Sequence, residues 1–138
     1  MARRLDYDPD ASLLVRTDFT DDAAWEMLVD DANLPYGEDG FSAYFSCISD
    51  RAFDGMSVDD LERVDGDALV VFAADRYSMV GDERTLIVVG RRMDAGRSFR
   101  VVLQEAWGPE NNLRLANMDF ADFSRATDPG GVFRGFAP

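Results

Sequence analysis

The sequence predicts a single α/β domain with a mixed, mainly parallel sheet of about five strands and flanking helices. The first observation is a series of three apolar runs, at residues 13–15, 41–48 and 69–74, separated by segments with helical periodicity. This βαβαβ order predicts parallel strands, because such crossovers are right-handed. The second observation is that only nine residues separate the apolar runs at 85–89 and 99–103, which is too short for a parallel crossover and predicts an antiparallel hairpin.

The third observation is the composition. The chain has 138 residues, of which 46% are hydrophobic and 12% aromatic. A chain of this length fits one folded domain, and we find no repeat or linker that would divide it. We therefore expect one domain over residues 1–138, with residues 1–11 as a loose lead-in.

The first helix is predicted to follow Thr20, a favourable N-cap, since Asp21 and Asp22 lie in its first turn. Asn33 and the Pro and Gly residues after it end this helix. A second helix is predicted to start at the N-cap Ser57. The residues expected on the buried face of the first helix are Ala24, Trp25, Leu28, Val29 and Ala32.

The second half of the chain is predicted to be less regular. Residues 76–84 form a short linker or a single helical turn. Pro109 can start a helix, and Asn117 is predicted to cap the last helix, giving a helical C-terminal segment. The tail at residues 132–136 is too hydrophobic for free chain, so we expect it to dock on the domain.

The charged composition excludes several classes of chemistry. There are 27 acidic and 14 basic residues, the basic residues are all arginine, and the formal net charge is −13. Without histidine there is no Ser-His-Asp or Cys-His site and no imidazole metal ligand. Without lysine there is no Walker loop and no Schiff base. The negative charge disfavours nucleic acid and anionic membranes and favours a basic protein or a divalent cation.

The single cysteine, Cys47, excludes an internal disulfide and suits a reducing cytoplasm. Because it lies in a predicted strand, we expect a buried and inert thiol. The N-terminus does not resemble a signal peptide. The longest apolar run, at residues 68–74, is too short to span a bilayer, so we expect a cytoplasmic protein without membrane association.

Three aspartates follow the three parallel strands and form the first candidate site. If Asp18, Asp50 and Asp75 lie at one edge of the sheet, they stand where open α/β sheets bind ligands. Magnesium prefers oxygen ligands and is often held by one or two carboxylates with waters. The sequence is thus compatible with a site for Mg²⁺ or another divalent cation. The alternative is that these aspartates only cap helices and turns.

Arginines form a second candidate group, because arginine recognises carboxylates and phosphates bidentately. In so acidic a chain, pairing with its own aspartates is the favoured alternative. The arginines concerned are Arg16, Arg91, Arg92, Arg97 and Arg100.

The third candidate is a partner-binding surface at Trp107, Asn111, Asn112 and Arg114. Tryptophan and arginine are favoured anchors in protein interfaces. The alternative is structural, because asparagine side chains also stabilise irregular backbone.

The segments at residues 12–19 (SLLVRTDF), 111–123 (NNLxLANMDFxxF) and 131–136 (GVFRGF) resemble a bacterial family of short proteins that carry a domain of unknown function. The likeness covers nearly the whole chain. It implies a stand-alone bacterial domain and supplies no activity, cofactor or catalytic residue.

These observations favour a non-catalytic cytoplasmic protein whose acidic surface binds a basic protein partner, for example an immunity or inhibitor protein. No catalytic residue and no required cofactor are predicted. The alternative is a divalent-metal-binding enzyme or sensor with carboxylates at the carboxyl edge of the sheet.

Overall fold

Six strands form one mixed sheet in the computed structural model, which describes residues 10–136. In chain order, the strands β1 to β6 are Ser12–Arg16, Phe45–Ile48, Val70–Ala74, Thr85–Gly90, Ser98–Val102 and Val132–Phe133. The helices α1 to α5 are Asp22–Ala32, Val58–Glu62, Arg76–Met79, Trp107–Arg114 and Phe120–Ser124. The predicted α/β class is confirmed.

The strand order is β2-β1-β3-β4-β5-β6. The first three strands are parallel, and β4 pairs antiparallel with both β3 and β5. The predicted βαβαβ unit and hairpin are therefore confirmed. Because β6 pairs parallel with β5, parallel and antiparallel pairings are nearly equal, and the sheet is mixed rather than mainly parallel.

The sixth strand comes from the tail that was expected only to dock. Asp128 forms the turn before it, since its carboxylate accepts hydrogen bonds from the backbone N–H groups of Gly130 and Val132. The N–H of Asp128 donates to the carbonyl of Val132 at 2.9 Å. This turn places Val132 and Phe133 beside β5, although two residues are too few for a periodic strand signal.

Each face of the sheet carries its own hydrophobic core. Strand residues such as Leu14 and Phe72 face α1, α4 and α5, and the first core forms there. Their neighbours Val15 and Val71 face α2 and the 3₁₀ turn Arg51–Phe53, where the second core forms. The side chains alternate between the faces because the strand period is two residues.

The predicted cap of the second helix is confirmed, since Ser57 forms a capping box with Asp60. The predicted cap of the first helix is wrong by one residue. The hydroxyl of Thr20 donates to Asp18, so Asp21 caps α1 by accepting from the N–H of Ala24 at 3.0 Å.

The cap predicted for the last helix is also misplaced. Helix α4 ends where Ala116 adopts a left-handed conformation with φ 57°. The N–H groups of Asn117 and Met118 then donate to the carbonyl of Asn112, which keeps Asn117 in the turn that ends α4. The N-cap of α5 is Asp119, because a new helix starts only after the chain leaves this turn.

Strand β2 is shorter than the predicted run of 41–48. Phe41 instead pairs with Tyr36 in an isolated bridge that closes the loop between them. The side chain of Asn33 forms two hydrogen bonds with the backbone of Phe45. It accepts from the N–H at 2.8 Å and donates to the carbonyl at 3.1 Å. These bonds occupy both main-chain groups of Phe45, the first residue of β2.

Most of the predicted lead-in, residues 1–9, lies outside the described residues, and Ala11 is already buried. Within residues 10–136, every helix is too short or too polar to cross a membrane.

Candidate functional site

The carboxyl edge of the sheet gathers the ends of five strands, because only β4 runs in the opposite direction. β2 lies on one side of β1 and β3 on the other. The order in which the chain adds strands to the sheet therefore reverses next to β1. Ligands of open α/β sheets bind at such switch points. The carboxyl edge is therefore the part of this fold to search for a site.

The three candidate aspartates all lie at this edge, each just after its strand. The carboxylate of Asp18 accepts from the N–H of Thr20 at 2.8 Å and from its hydroxyl. These bonds hold the pKa of the Asp18 carboxyl below its ordinary value. Asp50 accepts from the N–H of Ala52 at 2.9 Å. Both carboxylates thus stabilise the backbone that follows them.

Asp75 has a second role beyond capping α3. Its carboxylate forms an ion pair with Arg100, whose Nη1 also donates to the hydroxyl of Thr85 at 3.0 Å. The guanidinium lies over the ring of Tyr77, with its Cζ 5.4 Å from the ring centre. Arg100 therefore balances the charge of Asp75 across the intervening strand β4.

Within residues 10–136, no three Asp, Glu or Cys side chains are grouped so that they could hold a metal ion. The metal site at Asp18, Asp50 and Asp75 stays a prediction. The measurement that tests it is the melting temperature during titration with Mg²⁺, Ca²⁺ or Mn²⁺. A binding site raises that temperature with metal concentration, and an Asp50→Ala, Asp75→Ala variant loses the rise.

Four of the five candidate arginines pair with aspartates of this chain, as the alternative predicted. The pairs are Arg16–Asp22, Arg92–Asp67, Arg97–Asp94 and Arg100–Asp75. Arg91 differs, because it is buried under the loop that follows α2 and donates from Nη2 to the carbonyl of Val64. Its Nε and Nη1 have no hydrogen-bond partner in the described chain, and burial lowers its pKa.

A cavity of about 400 Å³ opens at the carboxyl ends of β5 and β6. Its wall contains carboxylate, guanidinium and amide groups among aromatic and thioether side chains. The lining residues are Glu105, Trp107, Gly108, Asn112, Met118, Phe133, Arg134, Gly135 and Phe136. Apolar walls with a few polar groups are typical of ligand sites.

Glu105 is the acidic group of this cavity. Among the described residues, none forms a hydrogen bond or ion pair with its carboxylate. Partial burial raises the pKa of Glu105 above its ordinary value. Gly135 makes the close approach possible, since a Cβ there would lie 3.1 Å from the carboxylate carbon. An underpaired, partly buried carboxylate costs stability and is therefore a candidate functional group.

The four predicted partner-binding residues all lie on α4 and separate into two pairs. Trp107 and Asn112 line the cavity beside Glu105. Asn111 and Arg114 instead bind the side chain of Glu110. The structure therefore brings only half of the predicted group to one surface, and their role in binding stays a prediction.

The sequence analysis predicted no role for Glu110, which the structure shows to be fully buried. Its carboxylate accepts from the hydroxyl of Ser12 at 2.8 Å, the N–H of Tyr44 at 2.6 Å and Nε of Arg114 at 2.7 Å. These bonds join the start of β1, the approach to β2 and α4. The group is structural, because its oxygens are already used within the protein.

Cys47 lies half-buried on the edge strand β2, partly as predicted. Burial raises the pKa of the Cys47 thiol to about 11. We expect it to react with a thiol reagent at pH 8 on the order of 100-fold more slowly in the folded protein than in the denatured chain. Stopped-flow measurements with and without denaturant check this, and equal rates would contradict it.

The raised pKa of Glu105 predicts that replacing its carboxylate changes the stability of the protein in a pH-dependent way. A carboxyl whose pKa is raised by folding adds stability below its unfolded pKa, near 4.3, and loses it as the pH rises through the folded pKa. Glu105→Gln should therefore raise the melting temperature at pH 7, because it removes a carboxylate that burial destabilises. Below about pH 4 the variant and native protein should melt together. A variant that melts lower at pH 7 would show that Arg134 or another group stabilises the charge.

The remaining surface is rich in carboxylates. The carboxylates of several exposed acids form no hydrogen bond or ion pair with any residue in the described part of the chain. They are Glu26, Asp30, Glu38, Asp39, Asp54, Asp59, Asp65 and Asp82. Pairing with arginine therefore leaves much of the negative charge uncompensated at the surface.

Several of the groups described above lie close to one another beside the cavity. Phe41, with 48% of its surface exposed, stacks on Trp107 with ring centres 4.9 Å apart. Tyr36 and Asp82 line a neighbouring cavity of about 340 Å³ together with Gln104, the residue before Glu105. We call this surface the Phe41–Trp107 patch and define it as Glu38, Asp39, Phe41, Asp82, Glu105 and Trp107.

Comparison with known proteins gives one match. A family model described as "Domain of unknown function (DUF6924)" matches residues 11–136. No curated protein and no solved structure matches the chain.

Proposed function

The chain belongs to the DUF6924 family, and from this premise we propose that it is a non-catalytic protein that binds a basic protein partner on the Phe41–Trp107 patch. The observation that carries the proposal is the exposed Phe41–Trp107 stack flanked by uncompensated carboxylates. Aromatic anchors supply binding energy at interfaces, and charges around them set partner choice and association rate.

Charge supports the choice of partner. The net charge of −13 repels nucleic acid and attracts a cationic surface over several ångströms beyond contact. An immunity or inhibitor protein that acts in the bacterial cytoplasm is one concrete form of this function. Its binding would be fast at low ionic strength and weaken as salt is added.

The test is capture of partners from the source organism at low salt, with two matched variants. The patch variant carries Glu38→Gln and Asp39→Asn, and the control variant carries Glu26→Gln and Asp30→Asn on α1. Both remove two exposed, unpaired charges. We expect the native protein and the control to retain a basic partner that about 0.5 M salt releases, and the patch variant to lose most of it.

Trp107→Ala separates aromatic anchoring from charge. Truncating a central aromatic residue typically weakens an interface at least tenfold, so the captured partner should bind this variant at least tenfold more weakly. Equal capture by all variants, or partners that are not basic, would contradict the proposal. The divalent-metal alternative is tested by the titration given above.

A further inference from the structure

The charges at the Glu105 cavity do not cancel one another. Arg134 lines the cavity, but its guanidinium is held by Asp128, 2.8 Å from Nε, and by Glu83. These two bonds use Nε and Nη1 of Arg134, and Arg134 forms no ion pair with Glu105. Glu83, Asp128 and Glu105 thus place three carboxylates near a single guanidinium, and the region around the cavity carries net negative charge.

The walls of the cavity suit a flat cation. Trp107, Phe133 and Phe136 supply aromatic surface, and Phe136 is 54% exposed at the mouth. Aromatic faces attract cations, and a guanidinium stacks on them better than an ammonium does. A carboxylate binds the same group through two parallel hydrogen bonds. The volume of about 400 Å³ is at the small end of ligand sites and fits one long side chain.

We propose that this cavity binds a guanidinium on an aliphatic stem, supplied by an arginine side chain of the basic partner, with Glu105 as the acceptor. This assignment deepens the proposed function and rests on it for the source of the arginine. Arginine would act as the anchor of the interface, and the acids of the Phe41–Trp107 patch would steer it to the cavity.

Gly135 lets the backbone of the tail approach Glu105 closely. It has φ +96°, and any Cβ there would press against the Glu105 carboxylate. The backbone at Gly135 therefore passes close to the acid. Glu105 still lines the cavity and is only partly buried.

The experiment uses short probes and the full chain. Calorimetry compares acetyl-Gly-Arg-Gly-amide with its citrulline analogue, which keeps the shape of arginine and loses the charge. We expect the arginine peptide to bind with a dissociation constant on the order of 0.1–1 mM and the citrulline peptide at least tenfold more weakly. Glu105→Gln should weaken the arginine peptide roughly tenfold. Asp59→Asn removes an equal, unpaired charge from α2 on the opposite face of the sheet and should have little effect.

The other outcomes of the calorimetry would either overturn the assignment or change the ligand assigned to the cavity. Equal binding of the two peptides, or equal binding to Glu105→Gln and native protein, would overturn the assignment. Agmatine carries the same group as a free molecule and should bind about as well as the peptide. Agmatine binding more than tenfold more tightly would assign the cavity to a small free cation instead.

The two proposals fail in different ways. If the arginine peptide does not bind while the patch variant still loses the captured partner, the cavity assignment is wrong and the patch proposal stands. If the peptide binds through Glu105 while capture is the same for the patch and control variants, the partner proposal is wrong.

Discussion

Glu110→Ala is expected to lower the free energy of unfolding by about 3–5 kcal/mol. Removing the carboxylate leaves the guanidinium of Arg114, the hydroxyl of Ser12 and the N–H of Tyr44 without their acceptor. Glu110 is fully buried, so water cannot take its place without rearrangement. The hydrogen bond that Arg114 donates to Glu110 also raises the pKa of Arg114. The guanidinium stays charged in the variant.

The measurement is urea or thermal unfolding of Glu110→Ala beside Asn111→Ala. The control removes a neighbour that donates to Glu110 at 3.1 Å and to the carbonyl of Ser42 at 3.0 Å but carries no charge. It should cost only about 1–2 kcal/mol. Nearly equal losses in the two variants would show that the charge of Glu110 is not what ties α4 to β1.

The strand-end aspartates could be located from the sequence because their signal is local. A strand and the turn after it are adjacent in the chain, and parallel strands align their carboxyl ends. The hydrogen bonds that Asp18 accepts from Thr20 and Asp50 accepts from Ala52 are equally local, since each joins residues two positions apart in the chain. Asp75 is different, since Arg100 lies 25 residues away and reaches it across β4.

Neither Glu110 nor the cavity could be found in this way. Ser12 and Tyr44 are 98 and 66 residues from Glu110, so only the folded sheet brings them together. The cavity likewise forms because β6 pairs with β5 and places Phe136 near Glu105. The one available signal was the tail at residues 132–136, whose hydrophobicity showed that it must be covered.

Phe123→Ala is expected to cost about 3–5 kcal/mol and also to weaken binding in the Glu105 cavity. Phe123 is fully buried, and its ring centre lies 5.2 Å from that of Phe133 and 5.5 Å from that of Phe136. Those two rings form one wall of the cavity. Removing Phe123 takes away the support behind them, so their positions and the cavity shape become less defined.

Phe53→Ala is the matched control, because Phe53 is equally buried but belongs to the core on the opposite face of the sheet. Both variants should lose similar stability by urea unfolding. At a temperature where both remain folded, only Phe123→Ala should bind the arginine peptide several-fold more weakly. Equal binding by the two variants would mean that the cavity does not need a rigid aromatic wall, and that the charge of Glu105 alone holds the cation.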